Sequence, residues 1–298
     1  MTYGYEGGGG GGGRRLSLRL IAGLVIAVIG IITYFHHTET NPVTGEKQRV
    51  AMTVDQEKAL GLEAAPQMAN EMGGVLPEND PESQLVRAMG EKIVASSDAG
   101  KSPYVGNFHF HVIADPKTVN AFALPGGQVF ITHALLSQLQ NEAQLAGVLG
   151  HEIGHVIARH AAEHMAKGQL GQSLVTAVAV GASDDQRRGQ MAAMAAMMAN
   201  QMLQLHYSRD DELQADSLGL KYMSQTGYTP AAMLEVMEIL KRASGGGGRG
   251  PSFMQTHPDP DARIAQIKEY LQKNFPNGVP SNLTEGKQLF HVERINAN

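Results

Sequence analysis

Hydrophobic residues along this chain follow three rhythms. Between positions 20 and 35 they are nearly continuous. Counted from Leu16, the run is about 20 residues, enough for a helix to cross a bilayer. Phe108, Phe110 and Val112 alternate with His109, His111 and Ile113, a period of two that predicts a strand with its phenylalanines on one face. Leu145, Val148, Leu149, Ile153, Val156 and Ile157 recur at helical spacing. Asn141 precedes them, with Gln144 three positions on, a capping-box variant that opens a buried helix. Further helices are predicted from near Val54, from near Pro81 and over 260–272. Met191, Met194, Met198 and Met202 share a helix face, read as core packing. Residues 168–182 are apolar but interrupted and too short to span a membrane. With the polar stretch 183–190, they read as a helix-loop-helix excursion over a cleft.

The polar gaps divide the chain. Residues 1–15 contain an unbroken glycine run and read as a disordered cytosolic tail. Residues 16–35 read as a transmembrane signal anchor. Arg14, Arg15 and Arg19 lie on its amino side, and no basic residue immediately follows Phe35; this orients the N-terminus to the cytosol and the large domain outward. A removable signal peptide fits less well, since 31–37 lacks an A-x-A pattern. Residues 36–50 read as a polar tether and 51–298 as one catalytic domain, with a flexible glycine-rich loop at 244–251.

Composition narrows the function. A hydrophobic share of 42% with 18% charged residues allows a sizeable core. The net charge of -5 and scattered Lys and Arg offer no surface that tracks phosphates, so nucleic acid is excluded as a partner. Cysteine is absent. That removes disulfides, thiolate catalysis and Cys-type zinc sites.

The chemistry concentrates at His151-Glu152-Ile153-Gly154-His155. Two imidazoles four positions apart on a helix lie side by side, and H-E-x-x-H is the pattern in which both bind Zn²⁺ while the carboxylate serves as general base. A catalytic zinc site takes three protein ligands and keeps a position open. Glu212 is a candidate third ligand, and Asp216, one turn on, can accept an N–H from a liganding imidazole. Asp210 and Asp211 read as a solvated acidic first turn favoured by the helix macrodipole. His160 lies five positions beyond His155, about 140° around a continuous helix; it and His164 are read as pointing away from the metal. His109 and His111 are read as surface or packing residues.

Two further places bear on substrate. Pro125-Gly126-Gly127 forces a turn between Asn120-Ala121-Phe122-Ala123 and the strand from Gln128. An exposed edge there can hold an extended polypeptide through main-chain groups; a simple hairpin uses the same turn. His257 follows the glycine-rich loop. It can donate to the oxyanion of the transition state, act as a reversible fourth zinc ligand, or sit in a Thr-His-Pro turn that caps the last helix.

These motifs, with Arg159-His160, Ser208-Arg209, Ala215-Asp216, Asn41-Pro42-Val43-Thr44-Gly45 and Thr256-His257-Pro258 followed by Arg263-Ile264, resemble the HtpX and CAAX-prenyl-endopeptidase family of zinc metallopeptidases. The likeness runs from 41 to about 272, and several stretches are similar to elements of the soluble-domain branch, which includes Oma-type and periplasmic BepA- and LoiP-type proteases. It implies an α+β, mostly helical, zincin-like domain with a small antiparallel sheet behind an N-terminal transmembrane helix. By position it implies one Zn²⁺ per chain on His151, His155 and Glu212, with Glu152 as base and Asp216 supporting a ligand. It implies misfolded or misassembled envelope proteins as substrates, met on the outer side of the membrane. The alternative is a zinc-containing chaperone or assembly factor with little proteolysis. A prenyl-protein endopeptidase fits poorly, because a single anchor builds no intramembrane chamber.

Overall fold

In a computed structural model of the chain the described residues are 18–36, 38–50, 52–168, 170, 173, 207–243 and 252–289. The glycine-rich tail, the methionine-spaced stretch 190–205, most of the excursion 168–190 and the loop 244–251 lie outside them.

The continuous apolar run forms helix α1 (Leu18–His36), and its Leu24, Ile29, Ile32 and Phe35 are exposed. No helix among the described residues is long and apolar enough to cross a membrane. The expected tether takes a different form. Strands β1 (Thr38–Thr40) and β2 (Lys47–Arg49) pair antiparallel, and the turn between them is built by Asn41, whose Oδ1 accepts from the backbone N–H groups of Val43 and Thr44. Such an Asx turn needs no hydrophobic signature, so the pattern of polar residues concealed it.

Helix α2 (Val54–Glu71) opens with a Thr53–Gln56 capping box, and α3 (Pro81–Ser96) with Asp80 as N-cap and Pro81 in the first turn. Three strands follow: β3 (His109–Ile113), β4 (Ala121–Leu124) and β5 (Gln128–Thr132). Their order is β3-β5-β4. The small sheet is therefore mixed, where an antiparallel one was expected: β4 pairs antiparallel with β5 across the Pro125-Gly126-Gly127 turn, but β3 pairs parallel with β5. A period of two identifies a strand without naming its neighbour, and the stretch 114–127 between β3 and β5, which includes β4, is long enough for a parallel return. Phe110 is buried, His109 exposed, and His111 meets Gln128 and stacks on Phe130.

After the short helix α4 (His133–Leu136) comes α5 (Glu142–Ile157), buried from Ala143 to its end. Asn141 caps it as read from the sequence, accepting from Gln144 N–H, whereas the Gln144 side chain reaches one residue further back, to Gln140 N–H. Helix α6 (Arg209–Gln225) lies across α5. A Cβ at Gly150 would stand 3.3 Å from the backbone of Gly219, and one at Gly154 3.0 Å from the Ala215 carbonyl. These positions let the two backbones approach closely, and that approach brings the side chains of α5 and α6 to one centre. A further helical stretch covers 160–168, and helices α7 (Ala232–Ala243), α8 (Phe253–Thr256) and α9 (Pro260–Asn274) follow α6. Val86 and Ile93 of α3, Leu145 and Leu149 of α5, Leu220 and Met223 of α6 and Met237 of α7 share one core, each burial contributing about 1.5–3 kcal/mol.

Candidate metal centre

His151 and His155 face α6 from one side of α5. Both are buried, and so are Glu152, Glu212, Asp216 and His257. Four donors meet: one ligand atom from each of His151, His155, Glu212 and His257 lies within 4.8 Å of all the others. His151 Nε2 is 3.0 Å from His155 Nε2 and 3.4 Å from His257 Nδ1. Glu212 Oε1 is 3.4 Å from His155 Nε2 and 2.9 Å from His257 Nδ1. Ligands at ~2.0–2.1 Å around a tetrahedral ion are separated by roughly 3.3 Å, so the set is sized for one Zn²⁺.

Protonation supports the same reading. His151 Nδ1–H donates to Asp216 Oδ1 at 2.8 Å, which leaves Nε2 a lone pair directed at the centre. For His155 the fixing group is His160. Gln214 donates its amide to Glu46, so its carbonyl accepts from His160 Nε2–H at 2.7 Å; His160 Nδ1 is then an acceptor, 2.8 Å from His155 Nδ1–H. His155 too presents a bare Nε2. Burial lowers the pKa of His151, of His155 to about 3 and of His160 to about 4, which keeps these rings neutral, the form that binds a metal.

The expectation that His160 points away fails for a definite reason. Helix α5 stops at Ile157, and Arg159 takes a left-handed conformation at φ 59°, so the periodicity that placed His160 on another face ends before it arrives. His164 Nε2 hydrogen-bonds Asp211 Oδ2 at 2.7 Å. Asp211 is thus not the solvated residue expected: it is buried and also accepts from Ser208.

The carboxylates divide by environment. Despite burial, His257 and Arg263 hold Glu212 well below the usual carboxylate range, and Arg263 brings Asp216 down to about 2. Arg263, on α9 and fully buried, grips Asp216 through two 2.7 Å bonds and lies 2.9 Å from Glu212 Oε2. Glu152 differs. Burial pushes its pKa up to about 7, and among the described residues neither of its oxygens has a hydrogen-bond partner. His257 Nε2, 3.8 Å from Glu152, is likewise without one. Buried polar atoms left unsatisfied beside a cluster of donors are what a metal and its attacking water would meet, so the residues fit the ion.

His257 does not cap the last helix. Asp259 does, accepting from Ala262 N–H, while the His257 ring stacks on Phe253 with centroids 4.1 Å apart. Tyr207 stacks on His155 at 4.0 Å. Sequence reasoning gave Tyr207, Phe253 and His160 no part at the centre, and Arg263 none beyond its place after the Thr256-His257-Pro258 motif.

The expected substrate strand lies on the sheet edge beside α5. Thr132 N–H donates to the Asn120 carbonyl and Asn120 N–H to the Thr132 hydroxyl, and Phe122 pairs with Phe130. By antiparallel alternation the main-chain groups of Ala121 and Ala123 then point away from β5. Of the four residues singled out, these two therefore offer the edge and Asn120 and Phe122 do not.

The profile of Peptidase family M48 matches residues 81–271. The chain belongs to this family. It is a zinc-dependent metalloendopeptidase, a hydrolase. It is 34% identical over 252 residues to the mitochondrial metalloendopeptidase OMA1 of Schizosaccharomyces pombe, covering 84% of this chain and 71% of that protein. It is 29% identical over 277 residues to the beta-barrel assembly-enhancing protease of Escherichia coli, covering 90% of this chain. OMA1 of Bos taurus is 26% identical over 274 residues. The M48 chain spans about half the length of the last two relatives, 55% and 51%.

Proposed function

We propose that this M48 peptidase hydrolyses misfolded or misassembled envelope proteins, with one Zn²⁺ on His151, His155 and Glu212 and with Glu152 as general base. A single observation carries the reading: a buried Glu152 carboxylate, unpartnered among the described residues, borders a four-donor centre of zinc-binding size. Bound there, Zn²⁺ would supply Lewis-acid chemistry, polarising a peptide carbonyl and lowering the pKa of a water to ~7. The chain's own groups do the rest. Asp216 and His160 fix the ligand tautomers, Arg263 balances the charge of Glu212 and Asp216, and Tyr207 and Phe253 hold the imidazole planes. Glu152, with a pKa near neutrality, takes a proton from water and returns it to the leaving amine. Ala121 and Ala123 hold the substrate main chain. The exposed apolar face of α1 and the arginines before it support an anchor with its N-terminus in the cytosol and the catalytic domain on the outer side.

Glu152→Gln is expected to abolish cleavage of an unfolded protein such as casein while leaving zinc content near one per chain by elemental analysis. Cleavage at the wild-type rate would overturn the assignment.

His257 supports a second reading. With four protein donors in reach the site can be closed, as in zinc sites that serve structure, and the protein would then act as a chaperone or assembly factor. We propose that His257 would serve as a reversible fourth ligand to the metal. On that placement His257→Ala raises peptide turnover at saturating zinc; reduced turnover would make it an oxyanion donor instead. Cells whose defect is fully complemented by the Glu152→Gln protein would favour the chaperone.

A further inference from the structure

The hairpin of β1 and β2, which follows α1, grips the corner where α5 ends. Arg159 donates to Glu39 at 2.6 Å, Asn41 donates to the Ile157 carbonyl at 2.6 Å, and Gln48 donates to that of Ala158. Across the turn, Asn41 N–H donates to the Glu46 carbonyl at 2.8 Å. Glu46 is thereby fastened to the corner, and its exposed side chain meets Gln214 of α6, whose amide donates to it at 2.5 Å.

That contact has a direction. A carboxylate only accepts, whereas a glutamine amide donates at one end and accepts at the other. With its NH₂ turned to Glu46, Gln214 shows His160 its carbonyl, 2.7 Å from His160 Nε2. The neutral His160 ring then carries its proton on Nε2 and presents a bare Nδ1, 2.8 Å from His155 Nδ1. His155 keeps its own proton on that side and leaves Nε2 open toward the metal centre. Asp211 does not compete for the His160 end. Its Oδ1 is 3.9 Å from His160 Nε2, beyond hydrogen-bond reach, and its Oδ2 accepts from Ser208 and meets His164.

We infer that Glu46 is a positioning residue for the metal: from the surface it sets the polarity of the relay Glu46–Gln214–His160–His155, and reversing that polarity puts a proton on the ligating nitrogen of His155. This rests on the assignment of His155 as a zinc ligand. Glu46→Lys replaces the terminal acceptor by donors only. Gln214 then turns its carbonyl outward and its NH₂ to His160, whose Nε2 must accept. Each ring proton passes between the two nitrogens of its own imidazole, so no charge is created, and His155 ends with Nε2–H.

The test uses the full-length protein in detergent. Zinc affinity is read by competition with a chromophoric chelator, and histidine tautomers by ring ¹⁵N shifts in the metal-free protein, the His155 signals being those missing from His155→Gln. Glu46→Gln still offers Gln214 a carbonyl and should bind zinc as wild type does. Glu46→Lys should bind about 10-fold more weakly, the lower end of the loss seen when a ligand's outer partner is removed, and its His155 proton should move from Nδ1 to Nε2. Adding Gln214→Glu, which accepts at both ends, to Glu46→Lys should restore both tautomer and affinity. An unmoved His155 tautomer in Glu46→Lys would overturn the relay. So would a graded fall through Glu46→Gln to Glu46→Lys, which is what through-space charge alone gives. If wild type binds no zinc, the zinc assignment fails, and the tautomers of the metal-free proteins still decide the relay.

Discussion

Asp216 lies outside the four-donor set, yet it governs how well the set can bind. Its Oδ1 accepts the His151 Nδ1–H and an Arg263 N–H together, so one carboxylate fixes a ligand's tautomer and ties that ligand to α9. An amide in its place has one acceptor oxygen and adds an N–H that faces the Arg263 donors. Asp216→Asn is therefore expected to weaken zinc binding by about 10–100-fold, read by competition with a chromophoric chelator, while the far-ultraviolet circular dichroism is unchanged. Equal affinity in variant and wild type would show that Arg263 and the packing around His151 suffice. His151, Glu152 and His155 were legible in the sequence because a single helix sets their relation. Glu212 and Asp216 were legible for the same reason on a second helix. His160, Tyr207 and Arg263 were not, because each reaches the centre through a break in periodicity or a contact distant in sequence.

Helices were read more faithfully than their relations. The predicted starts near Val54 and Pro81 and the buried run ending at Ile157 match α2, α3 and α5, since amphipathic spacing and cap residues are local properties. Which element packs on which is not local. Gly147, Gly150 and Gly154 are spaced three and four apart, and this was a usable signal: small residues on one helical face mark where another backbone comes close. The sheet order is the counter-example. Parallel pairing of β3 with β5 depends on the path of 114–127, and no alternation of side chains within β3 encodes it. The hairpin at 38–49 escaped for a related reason. Asn41 and Gln48 are polar and buried, satisfied by partners more than a hundred residues away, and hydropathy reads such residues as solvated.

Both ends of α5 are held by remote parts of the chain. At its start the N–H groups of Glu142 and Ala143, which no helix can satisfy internally, donate to the carbonyls of Lys287 and Glu285. At its other end the carbonyls of Ile157 and Ala158 accept from Asn41 and Gln48. The metal ligands sit asymmetrically between these clamps, since His155 is two residues from Ile157 while His151 is nine from Glu142. A unique effect is expected from each end. Asn41→Ala removes the bond to Ile157 and the two that shape its own turn, at a cost of about 1–3 kcal/mol. Gly286→Ala forces a side chain onto a residue at φ 73° and brings its Cβ to 2.7 Å from that of Glu142, for a similar ~1–3 kcal/mol. The ends are ~24 Å apart along a 16-residue helix, so in urea denaturation of the metal-free protein the two losses should add to within about 0.5 kcal/mol. Zinc affinity should separate them, falling several-fold for Asn41→Ala through the nearby His155 and holding for Gly286→Ala. An equal fall in both would mean that α5 transmits disturbance along its whole length, and that the clamps act on the metal centre as one.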